Sequence, residues 1–585
     1  MIAGQFIGDT SGRANGAAVK TRWNMASLLG YEDSTNTKID LLAQHYFDRG
    51  PALGVDAAYK DEDSEGKLYA YGVINDGGQD LLKPGTRREW NHDTRGIILG
   101  EERITLGEHW TFFGEGSYLG DETFVDAFLE SWAETRREFT SQVNLARNDE
   151  NTGFSVQAKT SLNDFVANEY LLQSRGYSVQ KSPEVTYLRQ SDRLLESSLV
   201  GDVFWTQEWR YSNMAMQFDE VYARERGYDR ADLSQRAFGI NPDQRVADLL
   251  RSEGFEENNI NRFDTRHELS APQKLGPVDV TPFVVGRATA YDNDFRTFSP
   301  QEADNARLWA SAGARAATQI QRVDDSVRSE FFDLNRIRHI LEPNLTVWHA
   351  GSSVDHQDLP TYDEEVENLA EGSMARIALD QTWQTKRGDP MGKGHTADVF
   401  KFNNAFVFSS GDVDPKSPFG RWIDFRPELS NPGDYFSSEA AWQVTSALAL
   451  TGSTVYDLDA NQQDRSTAGF VIQHSPRYSS FAELRYLNPL DSTFLDLGTT
   501  YQLTERYAFT GLTAYDLHNG GFQGAGGELS RKSDAYLLAL RLSYNNTTDS
   551  TSFGFVIKPS LVAKKQRVRI LDEEADSAVS TESLR

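Results

Sequence analysis

The sequence predicts an all-β fold: a large antiparallel transmembrane β-barrel of about 24–26 strands, within the size range of such barrels. Three observations carry that expectation. Apolar and polar residues alternate with period two along the whole chain, so one face of each strand meets an apolar medium and the other meets water. No stretch approaches the roughly 18–20 consecutive apolar residues of a spanning helix, so any crossing is made by strands. The 585 residues hold neither a fixed-period repeat nor a linker, which makes one barrel domain the simplest organisation.

Taken in chain order, Leu53, Val55, Ala57 and Tyr59 alternate with Gly54, Asp56, Ala58 and Lys60. Turn chemistry brackets this strand, with Asp48-Arg49-Gly50-Pro51 before it and Asp61-Glu62-Asp63-Ser64-Glu65-Gly66 after it. Phe124, Val125, Phe128, Leu129 and Trp132 follow helical spacing instead. They read as an amphipathic turn packed on the rim or in the lumen, or as a strand extension. The segments Asp219–Asn261 and Gly351–Ser373 lose the alternation and are heavily charged, so both are expected to stand outside the membrane. Within the first, Val246, Leu249 and Leu250 suggest a short helix, the alternative being a solvated loop.

From Leu308 one row reads Leu308, Ala310, Ala312, Ala314, Ala316 and Ile320, while its neighbour holds Ser311, Gly313, Arg315, Gln319 and Gln321. Leu495, Leu497, Thr499, Tyr501 and Leu503 repeat the pattern. In Tyr536–Tyr544 two tyrosines bracket Leu538, Leu540 and Leu542. Eight steps of about 3.3 Å, tilted by about 40°, project to roughly 20 Å, near the apolar height of a membrane barrel. Phe553, Phe555 and Ile557 alternate with Gly554 and Lys558, and beyond Val562 a basic then acidic stretch reads as a soluble charged tail.

Acidic residues exceed basic ones, 87 to 59, giving a net charge of −28. That excludes a nucleic-acid binder, which needs a basic face. There is no cysteine, which removes disulfides and thiolate chemistry. The acidic turn at Asp61 fails as a calcium loop because its twelfth position is Gly72. Gly388-Asp389-Pro390-Met391-Gly392-Lys393 is one residue short of a phosphate loop. His349 and His356 are the nearest approach to a histidine cluster, and no GxSxG elbow occurs. Neither a metal site nor an enzyme is expected. A soluble, surface-exposed glycan-binding β protein is the alternative from another class, since half-buried strands also alternate.

Four segments in order resemble the C-terminal barrel of the lipopolysaccharide-assembly outer-membrane protein, the LptD/OstA (organic solvent tolerance) family. They are Tyr46-Phe47-Asp48-Arg49-Gly50-Pro51-Ala52-Leu53-Gly54-Val55-Asp56, Tyr118-Leu119-Gly120-Asp121-Glu122-Thr123-Phe124, Ser182-Pro183-Glu184-Val185-Thr186-Tyr187 and Arg338-His339-Ile340-Leu341-Glu342-Pro343. The resemblance implies a Gram-negative outer-membrane barrel that inserts lipopolysaccharide into the outer leaflet through a lateral gate between first and last strands, without covalent chemistry. Another large outer-membrane barrel transporter is the nearer alternative.

The implied organisation is a lead-in over residues 1–16, a barrel over 17–562 and a tail over 563–585, with gate strands at about Ala17–Leu28 and Thr551–Val562. Arg22, Asn24, Asp40 and Gln44 are the implied polar gate or lumen residues, joined by Phe555 and by Pro559, which cannot donate a ladder hydrogen bond. The family's prolines in the first two strands have no counterpart before Pro51. Its periplasmic jellyroll has none before Ala17, so contact with an LptA-like bridge would run through a domain this sequence does not supply. An LptE-like lipoprotein plug, or loops folded inward, should fill so wide a lumen. No cofactor is implied, apart from calcium or magnesium bridging the acidic surface to lipopolysaccharide phosphates.

Overall fold

The structure is a computed structural model. It describes residues 2–9, 17–30, 36–81, 87–89, 94–121, 123–129, 132, 139–163, 176–197, 201–226, 228–388, 394–410, 426, 433–488, 492–518, 520–534, 536–546 and 550–559. Thirty strand segments, β1 (Ile2–Asp9) to β30 (Ser550–Pro559) in chain order, make up most of it. Two of them, β6 (Gln79–Leu81) and β7 (Arg87–Glu89), form a separate small hairpin, and the other 28 lie in one sheet. In that sheet β14 (Ile260–Ser270) and β15 (Gln273–Leu275) pair with consecutive stretches of the same neighbour, as do β17 (Ala306–Thr318) and β18 (Ile320–Ser329). Around the circumference the segments therefore reduce to 26 strands, each antiparallel to its neighbours.

The sheet is closed. β1 pairs with β2 (Ala18–Asn24) on one side and with β30 on the other. An antiparallel barrel closes only with an even number of strands, and that same parity brings the first and last residues of the sheet to one rim. The connections at that rim are mostly short, such as 61–63, 107–109, 149–151 and 476–477, with 25–36, which begins in the helix Met25–Leu29, the exception. The longest ones, 75–93, 120–140, 161–176, 219–259, 292–305, 353–371 and 410–434, leave from the opposite rim.

The alternation in the sequence becomes two faces. In β16 (Val278–Tyr291), β17 and β19 (Leu334–Ser352), the large apolar residues Val284, Leu308, Leu345 and Val347 are exposed on the outside, whereas Phe283, Val285, Trp309 and Trp348 are buried inside. The register pairs Leu308 with Ala288 and Val347 with Ala314, so the outer row is continuous across strands. Period two makes this assignment rigid, because a slip of one residue would turn every apolar side chain inward. Gly313 faces inward, and a Cβ there would lie 2.6 Å from both Phe283 Cζ and Trp348 Cβ. Only glycine leaves room for these rings.

Two expectations change. Residues 1–16 do not merely lead in: Ile2–Asp9 is a barrel strand placed ahead of Ala18, and it is this strand that meets the C-terminal one. The segment 351–373, expected only to stand outside the membrane, folds inside the barrel: it runs from the end of β19 into β20 (Gly372–Arg387) with Val354, Leu359, Tyr362, Val366 and Leu369 buried. Interleaved with Asp363, Glu364, Glu365 and Glu367, these apolar side chains cannot turn to lipid and leave water by packing on the inner wall. The tail over 563–585 lies outside the described residues, as does Val562.

The amphipathic stretch near Phe124 forms a helix, Phe124–Phe128, whose Phe124, Val125 and Phe128 pack with Leu129, Trp132 and Phe139 on the inward residues Leu42, Tyr46, Tyr69, Tyr71, Ile97 and Leu99. The helix expected around Val246 spans Val246–Ser252 and buries Ala247 and Leu250. A second helix, Ala231–Phe238, lies in the same connection.

Candidate functional site

Three places in the barrel carry chemistry or mechanics: the closing seam and two ionic clusters on the inner face. At the seam the ladders are short. β1 makes six registered pairs with β30, from Gly4 with Ile557 to Asp9 with Ser552, and six with β2. By contrast, β29 (Tyr536–Asn545) and β30 make ten, and β3 (Thr37–Tyr46) and β4 (Gly50–Lys60) make ten. Pro559 pairs with Tyr536 and lies two residues beyond the last seam pair. Its missing N–H therefore removes nothing from the seam, contrary to expectation, and its side chain is outside the described residues. Phe555 faces outward with Leu540 across the ladder rather than into the lumen, because it shares the row of Phe553 and Ile557.

Arg22, Asn24, Asp40 and Gln44 fall on the inner row of β2 and β3, one and two strands from β1. Arg22 reaches Asp56 at 2.9 Å and Asp40 at 3.6 Å, and Lys38 lies 3.1 Å from Asp40. Gln44 Oε1 accepts from Tyr46 Oη at 3.0 Å and from Tyr71 Oη at 2.8 Å. Asn24 stands opposite Asp40 in the ladder. The four thus form a polar strip along the inner wall, with Asp40 buried at its centre.

The first ionic cluster sits under the long-loop rim, beside the helix Phe124–Phe128. Arg49 contacts Asp76 at 2.5 Å and Asp80 at 2.6 Å, and Arg95 contacts Asp76, Asp80 and Asp121 at 2.9, 2.7 and 2.7 Å. Thr123 Oγ1 donates to Asp80. Both guanidinium groups lie over Phe128, at 4.8 and 5.4 Å from the ring centre. Burial pushes the Asp76 and Asp80 carboxyls up, but the arginines outweigh it and hold both below the usual carboxylate range. The cluster ties three connections to one point on the wall.

The second cluster receives the segment 353–371. Arg262 contacts Asp363 at 2.5 Å and Glu367 at 2.8 Å. Lys181 reaches Asp363 at 2.7 Å, and Arg210 lies 3.8 Å from it. Tyr291 Oη donates to Glu367 at 2.8 Å, and the main-chain N–H groups of Tyr362 and Asp363 donate to its other oxygen at 3.1 and 2.6 Å. Arg287 bridges Asp264 at 2.8 Å and the carbonyl of Glu365 at 2.7 Å. Arg307 donates to the carbonyls of Val366 and Glu367, and Trp309 Nε1 to that of Ala370. Burial pushes the Asp363 carboxyl up, yet the Arg262 and Lys181 charges prevail and bring it down to about 2.

Sequence reasoning did not nominate these residues. Arg262, Arg287 and Arg307 come together because they lie near the same end of three adjacent strands, a proximity visible only once register is known. At the base of the segment, the ligand atoms of Asp355, His356 and Glu371 lie within 4.8 Å of one another, and burial together with the Asp355 charge raises the Glu371 carboxyl. This is the grouping among the described residues that could take a cation.

No protein-family model and no curated protein matches the chain. Among solved structures, similarity extends to the FrpB iron transporter from Neisseria meningitidis (9% identity, TM-score 0.34, 94% of this chain and 86% of that one). It also extends to the siderophore receptor PirA from Pseudomonas aeruginosa (8% identity, TM-score 0.31, 95% and 79%) and to the alcaligin outer-membrane receptor FauA from Bordetella pertussis (8% identity, TM-score 0.27, 95% and 75%). All are large barrels. At these TM-scores the likeness adds nothing to what the strand ladder itself establishes.

Proposed function

We propose that this protein is an outer-membrane translocon that delivers lipopolysaccharide to the outer leaflet by parting its wall at the β1–β30 seam. The observation that carries the reading is the pair of six-residue ladders on either side of β1. Releasing six paired residues costs less than opening the ten-residue ladders nearby. β9 (Trp110–Leu119) and β10 (Ser141–Asn148) also share six pairs, but among the described strands of the wall β1 alone is held by six on both sides. A lateral gap is therefore expected there. The polar strip of Arg22, Asn24, Asp40 and Gln44 then offers hydrogen-bonding groups to the sugars while acyl chains pass between the strands. No covalent step is involved.

An outer-membrane location is supported by the outward apolar row, the even strand number, and the segregation of long loops from short turns and termini. Long loops would face outside and the termini the periplasm, where an LptA-like bridge would deliver substrate. The loops folded into the lumen occupy part of the space an LptE-like plug would fill. Calcium or magnesium would offset repulsion between the acidic chain and lipid phosphates, and chelation should then weaken lipid binding.

The test is a photoreactive amino acid at Arg22, Asn24, Asp40 or Gln44 in cells making lipopolysaccharide. Adducts at these positions, and none at the inward Glu483, far from the seam, are expected; absence of adducts at all four removes the assignment. A second reading, a gated channel for polar solutes, is favoured by the segment 353–371 lying within the lumen. It predicts ion conductance that rises when that segment is removed and no lipid adducts at the seam.

A further inference from the structure

The cluster that holds the segment 353–371 has the composition of an anion site, and the segment fills it with its own carboxylates. The wall contributes Lys181, Arg210, Arg262, Arg287 and Arg307, against Glu184, Glu208 and Asp264. Glu208 is also engaged at 2.9 Å by Arg426 from another connection. One layer deeper, Arg266 and Arg315 share Glu268. With Arg426 the cations number six against three wall carboxylates, an excess of three, and the segment supplies three: Asp363 and Glu367 on Arg262, and the largely exposed Glu365 at 3.8 Å from Arg210. Buried charge left without a counter-ion is strongly unfavourable. The wall therefore requires negative charge from elsewhere, and the share held away from solvent is the two charges of Asp363 and Glu367.

The donors are not exhausted by the segment. Nε of Arg210, Arg262 and Arg307 is buried without an acceptor. Arg307, itself buried, directs its Nη donors to two main-chain carbonyls, which bind a guanidinium less strongly than an anion does. Converging guanidinium forks match the oxygens of a phosphoryl group, which carries about −1.5 to −2 at pH 7 as a monoester.

We propose that this cage is a binding site for a dianionic phosphoryl group, and that Asp363 and Glu367 occupy it as a built-in competitor until such a group displaces the segment. The inference goes beyond the translocon reading and does not depend on the seam. A lipid-borne phosphate and a soluble phosphate share the required chemistry.

The experiment uses the full chain in detergent micelles and the double variant Asp363→Asn/Glu367→Gln, with heat-modifiable migration as the check on folding. Two probes are titrated: inorganic phosphate, and phosphatidic acid in mixed micelles. The double variant is expected to bind at least one probe tenfold or more tighter than the unaltered chain, and adding Arg262→Gln should erase the gain. A gain with phosphatidic acid alone assigns a lipid headgroup; a gain with both assigns any phosphoryl group. No gain with either probe, or a gain that survives Arg262→Gln, overturns the proposal. Should the double variant fail to fold, a protease site inserted between Gln357 and Asp358 and cut after folding frees the segment in an otherwise unaltered chain. The same tenfold gain is then expected, and its absence overturns the proposal equally.

Discussion

Between Thr37 and Ser409 the inner wall is covered by chain that re-enters the barrel, and three apolar clusters form there, around Phe128, around Leu250 and around Trp309. Between Tyr435 and Pro559 the wall is nearly bare of covering chain among the described residues. Among the described residues of those nine strands, only Ala539 and Val556 are buried apolar residues, and the inner row carries exposed or half-buried pairs such as Arg485 with Glu483 and Arg541 with Glu528. The difference follows loop length, because every long connection leaves the first part of the chain. A wall braced from inside resists deformation, whereas one held by its ladders alone can part. The seam, with β30 on one side, adjoins the unbraced region.

The largest effects should come from the braced side. Replacing Arg95 by Met takes the guanidinium from Asp121 and leaves Asp76 and Asp80 to share Arg49, which should cost about 3–5 kcal/mol. Arg485→Met, at a solvent-screened pair, should cost no more than about 1 kcal/mol. Urea unfolding in lipid vesicles measures both, and equal losses would erase the distinction between the two walls. Phe128→Ala should cost about 3–5 kcal/mol by emptying the space between two guanidinium groups and the aromatic cluster. The same assay checks it.

Outward Leu540 is exposed, so in a water-soluble barrel Leu540→Arg would be nearly neutral. Facing lipid midway between Tyr536 and Tyr544, it should destabilise by about 2–4 kcal/mol. The smallest expected effect concerns pH. The Asp363 carboxyl lies at about 2 when the segment is docked, against about 3.9 when released. Because its docked value is lowered, its contribution is complete above about pH 4 and is lost as pH falls from there through 2. Protease sensitivity near Gln357 should be flat from pH 7 to 5, and a rise within that range would contradict the assignment.

The outer face was legible because lipid selects every second residue, as in the row from Leu308 to Ala316. The helix at Phe124 was legible because its apolar spacing differs from that of a strand. The strand Ile2–Asp9 was missed because two glycines break its rows and Phe6 and Ile7 fall on opposite faces, leaving no clean alternation. The inward course of 353–371 was missed for another reason. Its carboxylates read as solvated charge because their partner Arg262 lies 101 and 105 residues away along the chain.

The most direct test of a wall that parts at the seam is a reversible lock. The chain has no cysteine, so Phe6→Cys with Phe555→Cys, which are Cα partners across β1 and β30, introduces a single possible crosslink. Oxidised protein should stop delivering lipopolysaccharide to the cell surface and should recover on reduction, while a matched lock between Leu484 and Leu495, also Cα partners, should leave delivery intact. Undiminished delivery with the seam locked would contradict the account.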